Sequence, residues 1–250
     1  MKWIHAKDSH EMSRLAAEFM IQEVKKQPSM VLGLATGGTP VGTYQELIRD
    51  ARENGTSYKA ITTFNLDEYV GLAGTHPNSY RYFMQQQLFE HIDLPIEQTY
   101  LPNGEAKDLM AECQRYEELI ARHGGIDLQL LGIGTNGHIG FNEPGTSFQS
   151  TTHVVTLTKD TREANARFFT SLEEVPTHAI TMGIATIMKS KRILLLASGE
   201  EKADILYQLA LGEVDEKVPA SILKQHPDVT IIADTVALRR VKEQELCGLR

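Results

Sequence analysis

The chain has 250 residues, of which 41% are hydrophobic and 23% charged, a balance typical of a globular protein and unlike disordered or fibrous chains. A net charge of −8 disfavours nucleic acid as a main partner, and the two cysteines predict neither a disulfide framework nor a thiolate metal site. No apolar run approaches the roughly 18 residues of a membrane helix and the first residues lack a signal-peptide core, so we expect a cytoplasmic protein without membrane partners.

The first part of the chain predicts a helix, a buried strand and a second helix. Asp8 and Glu11 form the pattern of a capping box, which opens a helix with apolar residues at helical spacing. Residues 30–35 predict a strand buried on both faces, since they do not alternate with polar residues. Pro40 then indicates the start of a helix that stops near Gly55.

The same alternation of strands and helices continues along the chain. Further strands are expected at 62–66, 127–133, 153–158, 192–197 and 229–233, and further helices at 80–91, at 106–123 and through Arg167. No low-complexity linker divides the chain, so we predict one domain over residues 1–250. Its expected fold class is α/β, with three layers: a mostly parallel open sheet and helices on both of its faces.

Polar segments follow four of the predicted strands, at the edge where open α/β sheets bind ligands. These segments are 36–40, 67–69, 134–143 and 198–202. The first contains Thr36, Gly37, Gly38 and Thr39 at the start of a helix, a pattern that favours a phosphate cradle, although a turn without a ligand has the same pattern. It is not a Walker loop, because no Gly-Lys-Ser/Thr follows.

The third segment matches a dinucleotide fingerprint that we reject. Residues 132–137 read G-x-G-x-x-G after a strand, but the fingerprint also needs a helix at its last glycine. Gly140, Pro144 and Gly145 indicate an ordered loop there instead. We therefore expect no nicotinamide cofactor.

The same loop carries a candidate acid–base group. His138 is the one side chain in it that titrates near neutrality, and Asn136 and Glu143 are close enough in sequence to orient it. A hydrogen-bonded loop histidine without a catalytic role is the alternative. A zinc site is not expected, because the chain has no His-Glu-x-x-His and its other histidines are scattered.

Asp67 and Glu68 are adjacent carboxylates at the end of a predicted strand. Successive strand side chains point to opposite faces, so at most one of the two should face a pocket. A carboxylate in apolar surroundings there suits proton abstraction from carbon. A helix N-cap or a solvated charge pair remains the alternative.

Two basic residues, Arg167 and Lys202, could add positive charge to the glycine turn and hold a phosphate. Either residue taken alone is also consistent with a solvated surface position. Lys202 is the stronger candidate, because Gly199 precedes it at the start of a helix.

Taken together, these segments resemble the glucosamine-6-phosphate deaminase family. The motifs are Leu34–Pro40, Phe64–Tyr69, Gly132–Pro144 and Thr161–Phe169, with further agreement around Lys202. They occur in the right order over nearly the whole chain. The resemblance implies a modified Rossmann-like fold and the cofactor-free conversion of glucosamine 6-phosphate and water to fructose 6-phosphate and ammonia.

The resemblance also implies a role for each matching residue. His138 would open the sugar ring as an acid–base group supported by Asn136 and Glu143, and Asp67 would move a proton from C2 to C1. The residues that would hold the phosphate are Thr36, Gly37, Gly38, Thr39, Arg167 and Lys202. Phosphate anchoring serves this chemistry because it fixes the reacting carbons in place.

Two positions depart from the family pattern. Many relatives carry aspartate where this chain has Asn136, and an amide orients His138 without adding a full charge, so we expect activity to rest more on Glu143. Hexameric relatives use an arginine and a lysine for activation by N-acetylglucosamine 6-phosphate, where this chain has residues 153–155, His-Val-Val. The hypothesis that follows is a non-allosteric enzyme, with a monomer expected and an oligomer left open.

Three other functions stay open at this point. A 6-phosphogluconolactonase would share the fold class but would need no base at C2, so Asp67 discriminates between the two. A sugar-phosphate sensor of a transcription regulator would normally carry a basic DNA-binding domain, which this sequence does not show. A nicotinamide dehydrogenase is disfavoured by the loop described above.

Overall fold

The computed structural model describes residues 1–166 and 169–241. In chain order the elements are β1 (Lys2–Ala6), α1 (Ser9–Lys26), β2 (Val31–Leu34), α2 (Val41–Asn54), β3 (Thr62–Asn65), β4 (Asp67–Tyr69), α3 (Tyr80–Gln87), β5 (Thr99–Tyr100), α4 (Leu109–Arg122), β6 (Leu128–Gly132), β7 (His153–Thr156), α5 (Lys159–Asn165), β8 (His178–Thr181), α6 (Ile184–Met188), β9 (Arg192–Ala197), α7 (Ala203–Leu211) and β10 (Val229–Asp234). Short 3-10 turns connect several of them, including Glu200–Lys202 and Pro219–Gln225.

Seven strands form one parallel sheet in the order β1-β10-β9-β6-β2-β3-β5. Helices cover both of its faces, and the alternate residues of β9 show the division. Ile193 and Leu195 pack into a core with α4, α6 and α7, whereas Leu194 and Leu196 pack into a second core with α1 and α2. The predicted fold class, α/β with a mostly parallel open sheet between two helical layers, is confirmed.

A second sheet, which the sequence did not predict, lies beside the first. It has three antiparallel strands in the order β4-β8-β7, and it pairs Asp67 and His153 with Thr181. The chain passes from one sheet to the other at Leu66, whose N–H donates to the Leu34 carbonyl and whose carbonyl accepts from Met182. Asp67 therefore begins a new strand instead of ending the predicted one.

The predicted helices are present with shifted ends. The N-cap half of the predicted capping box is confirmed, since the Asp8 carboxylate accepts from the Glu11 N–H at 2.8 Å. The Glu11 carboxylate accepts from the Lys7 N–H, one residue before the cap. Pro40 is the N-cap of α2 and not its first residue. The helix expected through Arg167 ends as α-helix at Asn165, and Arg167 itself lies outside the described residues.

In the described part of the chain, no helix is both long enough and apolar enough to cross a bilayer.

Candidate active site

A cavity of about 550 Å³ opens beyond the carboxyl ends of β2, β3 and β6, where the topology of an open α/β sheet places ligands. Eight of the ten residues singled out from the sequence line it: Thr36, Gly37, Gly38, Thr39, Asp67, Asn136, His138 and Lys202. Glu143 lies directly behind this lining, hydrogen-bonded to Asn136. The structure thus brings together side chains that lie up to 166 positions apart in the chain.

The glycine turn between β2 and α2 forms one wall of the cavity. Gly37 has a φ of +91°, which a residue with a Cβ rarely adopts, and a Cβ at Gly37 or Gly38 would meet no atom within 4 Å. The backbone is therefore open to a ligand. No side chain caps the N-terminus of α2, so its first turn directs N–H groups and the positive end of the helix dipole toward the same space.

His138 is held by Asn136, which is in turn held by Glu143. The Asn136 amide donates from Nδ2 to Glu143 Oε2 at 2.7 Å, and its Oδ1 lies 2.8 Å from His138 Nδ1. Since a carboxylate accepts only, the amide orientation is fixed, and Asn136 Oδ1 must accept from His138 Nδ1–H. The tautomer that results leaves Nε2 of His138 with its lone pair free.

Glu143 ends this series of hydrogen bonds as a charged carboxylate. Burial alone would raise its pKa, but the nearby imidazole of His138 and hydrogen bonds from Thr161 and Asn136 hold the pKa at about 2. The Thr161 hydroxyl donates to Oε1 at 2.8 Å, and His138 Nδ1 lies 3.6 Å from Oε2. The carboxylate therefore remains ionised across the physiological range and stabilises a positive charge on the imidazole.

Glycine is required at position 134 because of packing against His138, and not because of a dinucleotide cofactor. A Cβ at this position would lie 2.2 Å from Cε1 of His138, so only glycine lets the ring pack against the backbone. Residues 133–150 form turns and bends with no helix, as the rejection of the fingerprint required. Gly134 thus makes room for the imidazole of His138.

Asp67 and Glu68 have opposite surroundings. Asp67 faces the cavity with 6% of its surface exposed, and burial together with repulsion from Glu68 raises its pKa to about 8. Glu68 points away and accepts from the backbone N–H groups of Tyr69, Tyr80 and Arg81 at 2.9 Å each. The expectation that at most one of the two faces the pocket is confirmed. Glu68 binds the first N–H groups of α3 from β4, although the N-cap residue of that helix is Ser79.

Lys202 contributes the positive charge that the structure describes at this cavity. Burial lowers its pKa, because desolvation disfavours the ammonium form. Within residues 1–166 and 169–241, no three His, Cys, Asp or Glu side chains gather as a metal-ion site.

Several residues that line the cavity were not predicted as site residues, among them Tyr80, Phe141 and Thr161. Tyr80 and Phe141 stack with ring centroids 6.1 Å apart beside Asp67. Phe141 lies in the segment 134–143 but is apolar, and Tyr80 lies outside all four segments, so neither was singled out. Thr161 carries no titratable group, and it also donates to Glu143.

Comparisons with known proteins agree with this geometry. Residues 6–232 match the family model described as glucosamine-6-phosphate isomerases/6-phosphogluconolactonase. A glucosamine-6-phosphate deaminase of Halalkalibacterium halodurans is 62% identical over 96% of this chain and 98% of its own length. Glucosamine-6-phosphate deaminase 1 of Bacillus subtilis is 53% identical over 95% of this chain and 98% of its own.

Solved structures show the same likeness. One described as a monomeric glucosamine-6-phosphate deaminase superposes with a TM-score of 0.94 at 52% identity, over 96% of this chain and 100% of that one. The 6-phosphogluconolactonase of Trypanosoma brucei superposes with a TM-score of 0.73 at 19% identity, over 96% and 98%. At that identity the second match shows a shared fold alone.

Proposed function

This chain belongs to the glucosamine-6-phosphate isomerase/6-phosphogluconolactonase family, and we propose that its site converts glucosamine 6-phosphate and water into fructose 6-phosphate and ammonia. The observation that carries the proposal is a single cavity lined by an imidazole with a free Nε2, a buried carboxylate and an anion-binding turn. The relatives that match over nearly their whole length are named for this reaction.

The phosphate is held by the turn at residues 36–39 together with Lys202. Backbone N–H groups at a helix N-terminus and an ammonium group suit a phosphate dianion, because both donate hydrogen bonds and both carry positive potential. Arg167 is proposed as a further phosphate ligand on the family pattern alone. An anchored phosphate fixes the distance from C6 to the reacting carbons.

His138 opens the sugar ring. Its Nε2 takes the proton of the O1 hydroxyl and returns a proton to the ring oxygen, while the C1–O5 bond breaks and C1 becomes an aldehyde carbonyl. The imidazolium that forms between the two transfers lies 3.6 Å, Nδ1 to Oε2, from the ionised Glu143. Asn136 keeps the ring in the required tautomer, and activity therefore does not need an aspartate there.

Asp67 moves the next proton. Its carboxylate removes the proton from C2 and returns it to C1, while O1 gains a proton and the amino nitrogen loses one. The aldehyde and amine thereby become a C2 imine with a hydroxyl on C1. Water adds to C2 of this imine, and ammonia leaves to give the C2 ketone of fructose 6-phosphate. Burial disfavours the carboxylate of the empty site, and the positive amino group of the substrate stabilises it on binding.

A lactonase on the same fold would hydrolyse an ester and would have no use for a base over C2. The buried position of Asp67 in the cavity lining therefore favours the deaminase. The two functions separate in one assay with purified protein and no added cofactor. We expect ammonia and fructose 6-phosphate from glucosamine 6-phosphate and no accelerated hydrolysis of 6-phosphogluconolactone; the reverse pattern would refute the proposal.

Two further properties are proposed with this function. A monomer is supported by the structural relative described as monomeric, at 52% identity. A cytoplasmic location is supported by the substrate, because a phosphorylated sugar does not cross a bilayer unaided.

A further inference from the structure

A buried carboxylate lies behind the turn that carries Lys202. Asp234 is the last residue of β10 and has 3% of its surface exposed. Its Oδ2 accepts from Ser198 Oγ at 2.5 Å and from the Gly199 N–H at 3.2 Å, and its Oδ1 accepts from the Ala237 N–H at 2.9 Å. One side chain therefore ties two loops together at the carboxyl edge of the large sheet.

The backbone of the turn sets the position of Lys202. β9 ends at Ala197, Gly199 has a φ of +100°, and the Lys202 N–H donates to the Gly199 carbonyl at 3.1 Å. Among the described residues, no ion pair or side-chain hydrogen bond fixes the Lys202 ammonium. The direction in which Lys202 enters the cavity is consequently set by the turn that begins at Ser198.

We propose that Asp234 is a positioning residue for phosphate binding: by fixing the Ser198–Lys202 turn, it directs the Lys202 ammonium into the cavity. The inference rests on the proposed function, in which Lys202 holds the substrate phosphate. A carboxylate suits this role because it accepts from a backbone N–H and a hydroxyl at once, with charge-assisted strength. It acts through the backbone, since the carboxylate that raises the pKa of Lys202 is Glu201.

An alternative role for Asp234 is purely structural. Its bond to the Ala237 N–H and its carbonyl's bond to the Leu238 N–H also cap the turn after β10. Loss of that cap would lower the melting temperature without changing phosphate binding selectively. The test must therefore measure phosphate binding and couple it to Lys202.

The experiment measures the dissociation constant of inorganic phosphate by calorimetric titration, together with KM and kcat for glucosamine 6-phosphate. Asp234→Asn places an amide NH₂ or a weaker acceptor against the donors at Ser198, Gly199 and Ala237. We expect phosphate binding about tenfold weaker, with a higher KM and a kcat that changes less. Lys202→Met should weaken phosphate binding at least as much. The double variant should bind phosphate no more weakly than Lys202→Met alone.

Two further variants make the test independent of folding losses. Gly199→Ala strains the same turn through its positive φ and should also weaken phosphate binding. Asp204→Asn removes an exposed carboxylate of α7 whose hydrogen bond is to Arg240 and not to the turn, and it should bind phosphate as the wild type does.

Some outcomes would overturn the proposal. Additive losses in the double variant, or wild-type phosphate binding by both Asp234→Asn and Gly199→Ala, would show that the turn does not direct Lys202. If Lys202→Met is an active deaminase that binds phosphate as the wild type does, Lys202 is not a phosphate ligand and the proposal fails. Failure of the proposed function is seen separately, as an absence of ammonia release by the wild-type protein.

Discussion

At the scale of single residues, the two carboxylates of the site differ because of what surrounds them. Asp67 has no hydrogen-bond donor among the described contacts and has a pKa of about 8, whereas Glu143 accepts from Asn136 and Thr161 and has a pKa of about 2. The first is placed to exchange a proton, and the second to remain charged. The chemistry of each carboxylate follows from its partners and not from its residue type.

Asp67 is expected to reduce the stability of the empty protein as the pH rises. The folded chain keeps this proton up to about pH 8, whereas the unfolded chain releases it near 3.8, so stability falls through that window. Asp67→Asn cannot ionise, and its stability relative to the wild type should grow by about 4 kcal/mol between pH 5 and pH 8. Urea unfolding at several pH values measures this difference.

The exposed Asp204→Asn is the control for that series and should show no such trend with pH. A variant Asp67→Asn that is less stable than the wild type at pH 8 would contradict the account of a carboxylate held in unfavourable surroundings.

Glu143→Gln should lower kcat about a hundredfold, because the imidazolium of His138 would lose its negative neighbour while the hydrogen-bonded frame stays in place. Steady-state kinetics check this. Glu163→Gln, which removes an exposed carboxylate paired with Lys159 on α5, is the matched control. Turnover at the wild-type rate in Glu143→Gln would show that the assignment is wrong.

At the scale of elements, strands with continuous apolar sequence were predictable and the small sheet was not. β6, β9 and β10 are buried on both faces, so their composition alone indicated them. β4 is three residues long and begins with two carboxylates, and β8 pairs with it from more than 100 positions away. Tertiary pairing stabilises such short strands, and no local pattern records it.

The site was also predictable only where a local sequence pattern marked it. Glycines and polar groups after buried strands marked the turn at residues 36–39 and the loop at 134–143, because topology places ligands there. Which of Asp67 and Glu68 faces the cavity depends on the β4–β8 register. Tyr80 depends on how α3 packs against β4, and Thr161 on how α5 approaches Glu143, so neither could be found from spacing.

The loop after β6 offers a test of the packing beneath His138. In Gly134→Ala the new methyl group overlaps the imidazole ring, and displacing the ring should lower kcat by about ten- to a hundredfold. Gly132→Ala adds a methyl group that meets no atom within 4 Å and should cost much less. Equal kinetics for the two variants would contradict the positioning role of Gly134.

At the scale of the whole molecule, one parallel sheet with two cores carries the turn, the loop and Lys202 to a common edge. The small sheet brings Asp67 to the same edge from the side, through its pairing with Thr181. The cavity thus depends on two sheets meeting, which explains why Asp67 was hard to orient from the sequence.

The absence of the paired cations at residues 153–155 predicts a non-allosteric protein. We expect one chain per particle by light scattering and hyperbolic kinetics that N-acetylglucosamine 6-phosphate does not change. Sigmoidal kinetics relieved by this acetylated sugar phosphate would refute the prediction.

The central claim is that Asp67 and His138 act on one bound sugar phosphate, and transfer of the C2 hydrogen tests it most directly. Glucosamine 6-phosphate deuterated at C2 is converted in ordinary water, and the fructose 6-phosphate is analysed for deuterium at C1. We predict that the wild type passes part of the label to C1 and that Asp67→Asn loses turnover by about a thousandfold. Turnover and label transfer that survive in Asp67→Asn would contradict the account.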